Sequence, residues 1–511
     1  MHAMYMKYVG ELRKVWELRE VADNSQCAKC AKCAKYANCL HLIFLIVLPN
    51  LQIISWSSFL DPATLPSSVT SMLRTTSCHI NYLPAEILRE IFVLGLSDGP
   101  SPSLSKGMHA VSLVCRHWRL LALEEARFWS KISIYFCLSD VLCWSPIDYL
   151  ASPLVRARLE RAALYLCRSK GAPLTLTISL HGVPVYVHEC VRDLVSPHYH
   201  RCNRLSLDLH DQHDVVDRAM VWLPLPHSTF DRLDQLRINV GEKGRGTLDL
   251  GLPLALRWLD ISTPIAISFH SGFRITDEVK LSGLDPKTVF KVLRHCRDVK
   301  KIKISSLRTG LEPLLSSLSF PTLEELTLQA HAEMWCSFPI QNAPNLRYLD
   351  FPSLHHLSRL EGLDAGTRSG IMHVLNGLEV LVIQDSIFDA RDYAFIRFES
   401  LRMLRVHWLD DDFIQLLSLA PEFPPSHNGE PPTGPAVHFS FPALQLLIIR
   451  SICHQNWCQL LLEVARARPM LNLVFGSDFC PPELDLVRGR VHFVENIWCI
   501  NDNELFARFL G

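Results

Sequence analysis

Four cysteines, Cys27, Cys30, Cys33 and Cys39, fall in the stretch CAKCAKCAKYANC. Thiolates at C-x-x-C spacing can hold zinc or an iron–sulfur cluster. A tandem Cys-Ala-Lys triplet generates that spacing trivially, however, and no second C-x-x-C pair follows at zinc-finger distance. The stretch therefore reads as low complexity, and no metal site is expected. Catalytic frames are similarly incomplete. GEKGRG at 241–246 has glycines but no Lys-Ser/Thr, so it is not a phosphate-cradling loop. His188-Glu189 lacks the second histidine of a zinc-protease helix. In GTRSG at 366–370 the serine sits in the wrong slot for a nucleophile elbow. The acidic run Asp410, Asp411 and Asp412 reads as a helix start favoured by the helix dipole. The 23 histidines are dispersed, and the 17 cysteines cannot be ranked as nucleophiles from sequence. The expectation is a binding protein with no catalytic residues and no cofactor.

The composition agrees. The chain has 511 residues, 48% apolar and 20% charged, enough apolar surface to offset ordering entropy in a large core. Lys plus Arg number 51 against 52 Asp plus Glu, a net charge of −1 that disfavours general nucleic-acid binding. An odd number of scattered cysteines, with no N-x-Ser/Thr sequon, points to reduced thiols and a cytoplasmic or nuclear chain.

Residues 1–79 read as a leader and linker. Within them LIFLIVL at 42–48 is apolar, but Pro49, Asn50 and Gln52 interrupt it before it reaches the ~20 residues of a membrane span. An anchor at 40–60, behind Lys29, Lys32 and Lys35, would place the remainder across the membrane, so membrane attachment is disfavoured.

The elements that position a binding site begin near residue 80. In INYLPAEILREIFVLGL, Pro84 suits the first turn of a helix. Ile87, Leu88, Ile91 and Phe92 recur at helical spacing, and Gly95 with the Pro/Ser-rich run after it ends the pattern. Val111, Val114, Cys115, Trp118 and Ala122 make a second stripe, followed by Phe128, Trp129 and Ile132. So short a helical unit has a small core and gains by docking an apolar face on a partner.

These residues resemble the F-box. The family's Leu-Pro-x-Glu-Ile/Leu-Leu-x-x-Ile-Phe segment is matched at 83–92, its Val-Cys-Arg-x-Trp segment at 114–118, and its aromatic-Trp-x-x-Ile segment at 128–132. The departure is an insertion at 97–106, longer than in compact F-boxes. The resemblance implies docking to a Skp-type adaptor and through it to a cullin-based ubiquitin ligase. Carried over by position, Leu83, Pro84, Ile87, Leu88, Ile91, Val114, Cys115 and Trp118 would bury apolar surface at that interface. Trp118 is either its hot spot or part of the unit's own core.

Beyond the F-box-like residues 80–135, the segment 136–511 carries a recurring L-x-x-L-x-L frame. It is read at Leu233/Leu236/Ile238, Leu256/Leu259/Ile261, Val299/Ile302/Ile304, Leu323/Leu326/Leu328, Leu346/Leu349/Phe351, Leu378/Leu381/Ile383, Leu401/Leu404/Val406 and Leu444/Leu447/Ile449. Successive starts lie 23, 43, 24, 23, 32, 23 and 43 residues apart. Spacings near 23 fit one leucine-rich repeat, and 43 is close to two. FPTL, APNL, FESL and FPAL cue several frames, and helical stretches such as 287–296, 311–318, 411–419 and 457–467 lie between them. The usual Asn or Cys ladder is replaced by His331, Leu354, Ser386 and Leu409. PEFPPSHNGEPPTGP at 421–435 reads as a surface loop.

The expected fold class is α/β: a short all-α F-box motif, then a leucine-rich-repeat-like strand/helix solenoid. Alternate strand residues would line its concave face, offering Arg237, Trp258, Lys301, Lys303, Tyr348, Arg405, His407 and Arg450 to an acidic or phosphorylated target. The function expected is substrate recognition within a Skp–cullin–F-box ligase. The alternatives are a scaffold outside ubiquitin chemistry and a protein anchored through 40–60.

Overall fold

The computed structural model describes residues 84–97, 111, 114–137, 152–210, 232–241, 247–250, 255–262, 266–269, 273–305, 317–329, 338–353, 365–385, 398–409, 441–452, 463–464, 466–468, 470–476 and 491–494. The cysteine repeat, the apolar run at 42–48, the GEKGRG glycines after Gly241 and the proline-rich segment at 421–435 lie outside them. No helix among the described residues is long and apolar enough to cross a membrane. The chain divides into two compact units, Met1–Phe128 and Trp129–Gly511.

In the first unit, α1 spans Ala85–Ser97 and α2 spans Arg116–Glu124, followed by a 3-10 turn at Ala126–Trp129. Pro84 stands just before α1, and its carbonyl accepts the first helical bond from the Leu88 N–H at 3.1 Å. Gly95 does not stop the helix, which continues to Ser97. Leu88, Phe92, Val111, Trp118, Leu121, Ala122 and Phe128 are buried. The Phe92 ring lies 4.8 Å from that of Trp118 and 6.2 Å from that of Phe128. Ion pairs Arg89–Glu124 at 3.0 Å and Arg127–Glu90 at 2.7 Å tie α1 to the end of α2 and to the turn that follows it.

The second unit is a parallel sheet with helices. Its strands are β1 (Lys131–Cys137), β2 (Leu174–His181), β3 (Cys202–His210), β4 (Gln235–Val240), β5 (Thr247–Leu250), β6 (Ala255–Ser262), β7 (Ala266–Phe269) and β8 (Arg274–Ser282). They continue with β9 (Lys301–Ser305), β10 (Glu325–Leu328), β11 (Tyr348–Ser353), β12 (Val380–Asp385), β13 (Met403–Leu409), β14 (Leu446–Ile452), β15 (Asn472–Gly476) and β16 (Val491–Val494). Among the described residues fourteen strands form one sheet in chain order, while β5 pairs with β7 in a second. The alternating segment KISIYFC is the first strand of this sheet.

One position of the repeated frame builds the core. Ile132, Leu176, Leu205, Leu236, Leu259, Val279 and Ile302 stand in register on successive strands. Leu326, Leu349, Leu381, Leu404, Leu447 and Leu473 continue the row. All are buried, and each such side chain contributes ~1.5–3 kcal/mol relative to exposure. The cue residues before the frames are buried too. Phe320 stacks on Phe338 at 5.4 Å and Phe398 on Phe441 at 5.5 Å. A recurring turn follows them, with the Leu323, Leu346 and Leu444 N–H groups donating to the carbonyls of Phe320, Ala343 and Phe441. Arg468 occupies the same place before Leu471, buried, its Nη1 donating to the Phe441 carbonyl at 2.6 Å.

Helices described beside the sheet include α3 (Pro153–Arg168), α4 (Val185–Val195), α5 (Pro286–Leu293) and α6 (Ala365–Asn376). The expected helix at 287–296 corresponds to α5, capped by Asp285, which accepts from the Thr288 N–H at 3.1 Å. The 43-residue gap between Leu256 and Val299 does hold an extra strand, β8. Across the gap between Leu401 and Leu444, β13 pairs directly with β14.

Candidate functional site

The structure sorts the eight adaptor-facing candidates by what surrounds them. Ile87 on α1 is 45% exposed, and Val114 is 59% exposed. Pro84 is also exposed. Leu88 and Trp118, in contrast, are 0% and 3% exposed. These two pack against their own unit, Trp118 beside Phe92, and have almost no surface left to bury. Cys115 is the N-cap of α2. Its backbone is extended (φ −156°, ψ 170°), and its Sγ accepts from the Trp118 N–H at 3.4 Å. That break explains why Val114 does not share the face of Trp118, as an unbroken helix would require. Leu83, and the side chain of Ile91 on α1, lie outside the described residues. Behind this surface Arg127 donates to Glu125 at 2.9 Å, and that hydrogen bond holds the Glu125 carboxyl below its usual range.

Helix, cap, helix and aromatic cluster thus occur in the order of the motif, and the F-box-like family matches residues 80–135. Residues 80–135 are an F-box-like domain. No curated protein matches the chain. The F-box-like domain offers Ile87, Val114 and Leu120, all large apolar side chains exposed to solvent, on a unit whose core is already filled.

The sheet provides a second surface. On β1 to β4, β6 and β8 to β10 the residues between the core positions are open or half-buried, as alternation requires. Here lie Arg237, Trp258, Lys301, Lys303 and, on β11, Tyr348. Arg237 and Lys301 are matched by carboxylates within the sheet. Arg237 Nε lies 3.5 Å from Asp260 Oδ2, and Lys301 Nζ donates to Glu325 Oε1 at 2.6 Å. Lys280 Nζ pairs with Glu278 at 3.0 Å and stands over the Trp258 ring at 5.4 Å. Burial pushes the Asp260 carboxyl up, opposed by Arg237 and Lys280. An acidic target would compete with these carboxylates for Arg237 and Lys301.

Further along, the same face is closed. Asp350, Val382, Arg405, Ile448 and Val474 occupy neighbouring registers and are buried. Arg405, a candidate for the target-binding face, is thus buried among apolar neighbours on this part of the sheet. Strands buried on both faces read as continuous apolar runs, and LLII of β14 does so where LTLTISLH of β2 alternates. His407 and Arg450 lie on β13 and β14, with side chains outside the described residues.

Sequence reasoning missed a third cluster. At the ends of β2 and β3, Asp208 lies between two histidines, its Oδ2 3.3 Å from His181 Nε2 and its Oδ1 3.0 Å from His210 Nε2. The DLH alternation places Asp208 and His210 on one face, but His181 arrives only through the strand pairing His181↔His210.

Proposed function

We propose that this chain is the substrate-recognition subunit of a Skp–cullin–F-box type ubiquitin ligase. The F-box-like domain docks on a Skp-type adaptor, which links the chain to a cullin. The observation that carries this reading is that residues 80–135 match the F-box-like family while Ile87 and Val114 stay exposed above a packed aromatic core. In this reading the second unit is a leucine-rich-repeat-like solenoid, supported by strands that follow chain order and by a leucine frame that recurs on one row. Its open face between β4 and β11 would receive the target, through mixed charges and the Trp258 and Tyr348 rings. The chain would act by proximity, holding a target where ubiquitin is transferred, with no side-chain chemistry of its own. Co-purification of a Skp-type adaptor with the full chain tests it. Capture by wild type and its loss in a Leu83→Ala/Pro84→Ala variant are expected, and equal capture by both would overturn the docking assignment.

A further inference from the structure

We propose that His181, Asp208 and His210 bind a zinc-class divalent ion on the open face of the sheet. The proposal is independent of the adaptor reading. His181 and His210 are paired neighbours on adjacent parallel strands, and Asp208 precedes His210 by two residues, so all three side chains leave the same face. Their candidate ligand atoms lie within 4.8 Å of one another. Metal–ligand bonds of about 2.0–2.1 Å in a tetrahedron set ligand atoms ~3.3 Å apart, close to the observed 3.0 and 3.3 Å between the carboxylate and the two imidazoles. Two imidazoles and one carboxylate favour zinc and its transition-metal neighbours over magnesium or calcium, which prefer all-oxygen sets. Three protein ligands leave one position for water or for a donor from a bound polypeptide.

Polar neighbours surround the three groups. Ser179 Oγ lies 3.0 Å from His181 Nε2 and donates to Asp208 Oδ2 at 3.3 Å. Asn239 Nδ2 donates to Asp208 Oδ1 at 2.9 Å and lies 2.9 Å from His210 Nε2. These partners orient the carboxylate from both sides; metal entry requires the Ser179 and Asn239 contacts to the two Nε2 atoms to yield. The Tyr135 ring meets His181 edge-on at 5.6 Å, and Gly182, at φ 67°, turns the chain away directly after it.

The test is Co2+ titration of the chelator-treated full chain, followed by its visible absorption, with Zn2+ and Mg2+ as competitors. Thiolate-bound Co2+ has a near-ultraviolet charge-transfer band, which separates any cysteine site from this one. Wild type should bind one equivalent of Co2+ without that band, displaced by Zn2+ and not by Mg2+. His181→Ala/His210→Ala should lose that equivalent with an unchanged melting temperature, since both side chains are partly exposed. The proposal is overturned if the double-histidine variant binds the same equivalent, if all bound Co2+ carries the thiolate band, or if Mg2+ competes equally.

Discussion

Ile87 and Leu88 are adjacent on one helix and should respond to truncation in opposite ways. Ile87 is 45% exposed and Val114 59%, so each has roughly half its apolar surface still to lose from water. Full burial of such side chains is worth ~1.5–3 kcal/mol, so covering the remaining half yields about 0.7–1.5 kcal/mol each. Ile87→Ala with Val114→Ala should therefore cost ~1.5–3 kcal/mol of adaptor affinity, a rise in Kd of about 10- to 100-fold. The melting temperature of the chain should hardly move. Leu88, at 0% exposure, makes the reverse prediction. Leu88→Ala leaves a cavity costing ~2–5 kcal/mol of stability, and any loss of binding should follow the loss of fold. Calorimetric titration of purified Skp-type adaptor into each full-length variant, beside its thermal melt, separates the two effects. An unchanged Kd for the Ile87/Val114 double variant in a folded protein would refute docking through these side chains. So would a Leu88→Ala variant that lost affinity while melting like wild type.

Two further outcomes follow from packing and burial. A Cβ added at Gly370 on α6 would lie 2.8 Å from the Gln341 Cβ, so Gly370→Ala should destabilise by ~1–3 kcal/mol despite the better helix propensity of alanine; urea unfolding at unchanged slope measures it. Cys202 is fully buried, and burial pushes its thiol from 9.0 up to about 12. Its folded value lies above the unfolded one, so its contribution is intact below pH 9 and is lost as pH rises toward 12. About 1.36 kcal/mol per unit puts the loss on the order of 4 kcal/mol. Urea midpoints across that range should fall more steeply for wild type than for Cys202→Ala, and parallel curves would contradict the assignment.

The core row was readable wherever leucine-like residues kept the full frame. It was hidden where other residues take the leading place: Trp129, Pro173 and Cys202 stand three residues before the row positions Ile132, Leu176 and Leu205. Before Leu473 the frame is one residue short, with Leu471 two positions away instead of three. In the strand pair β6–β8 the register shifts between Leu256 and Trp258, which displaces Ile275 from the pattern. The docking helices were legible as apolar stripes, but periodicity could not divide core from surface. The division depends on the backbone break at Cys115, a residue whose type gives little warning of a cap. Arg405 lies on a strand whose own sequence alternates, yet its register neighbours Val382 and Ile448 on β12 and β14 are apolar and buried with it, which one strand's sequence does not reveal. The His181–Asp208–His210 cluster was invisible for the related reason that it needs two strands placed side by side.

Because each described strand of the large sheet bonds only to its neighbours along the chain, the second unit is mechanically a row of links and not a knot. Tension applied to its far end has no distant strand to pull against. Rungs such as β16 and β15 should therefore detach one after another, each exposing a fresh edge, while the links nearer β1 hold their shape.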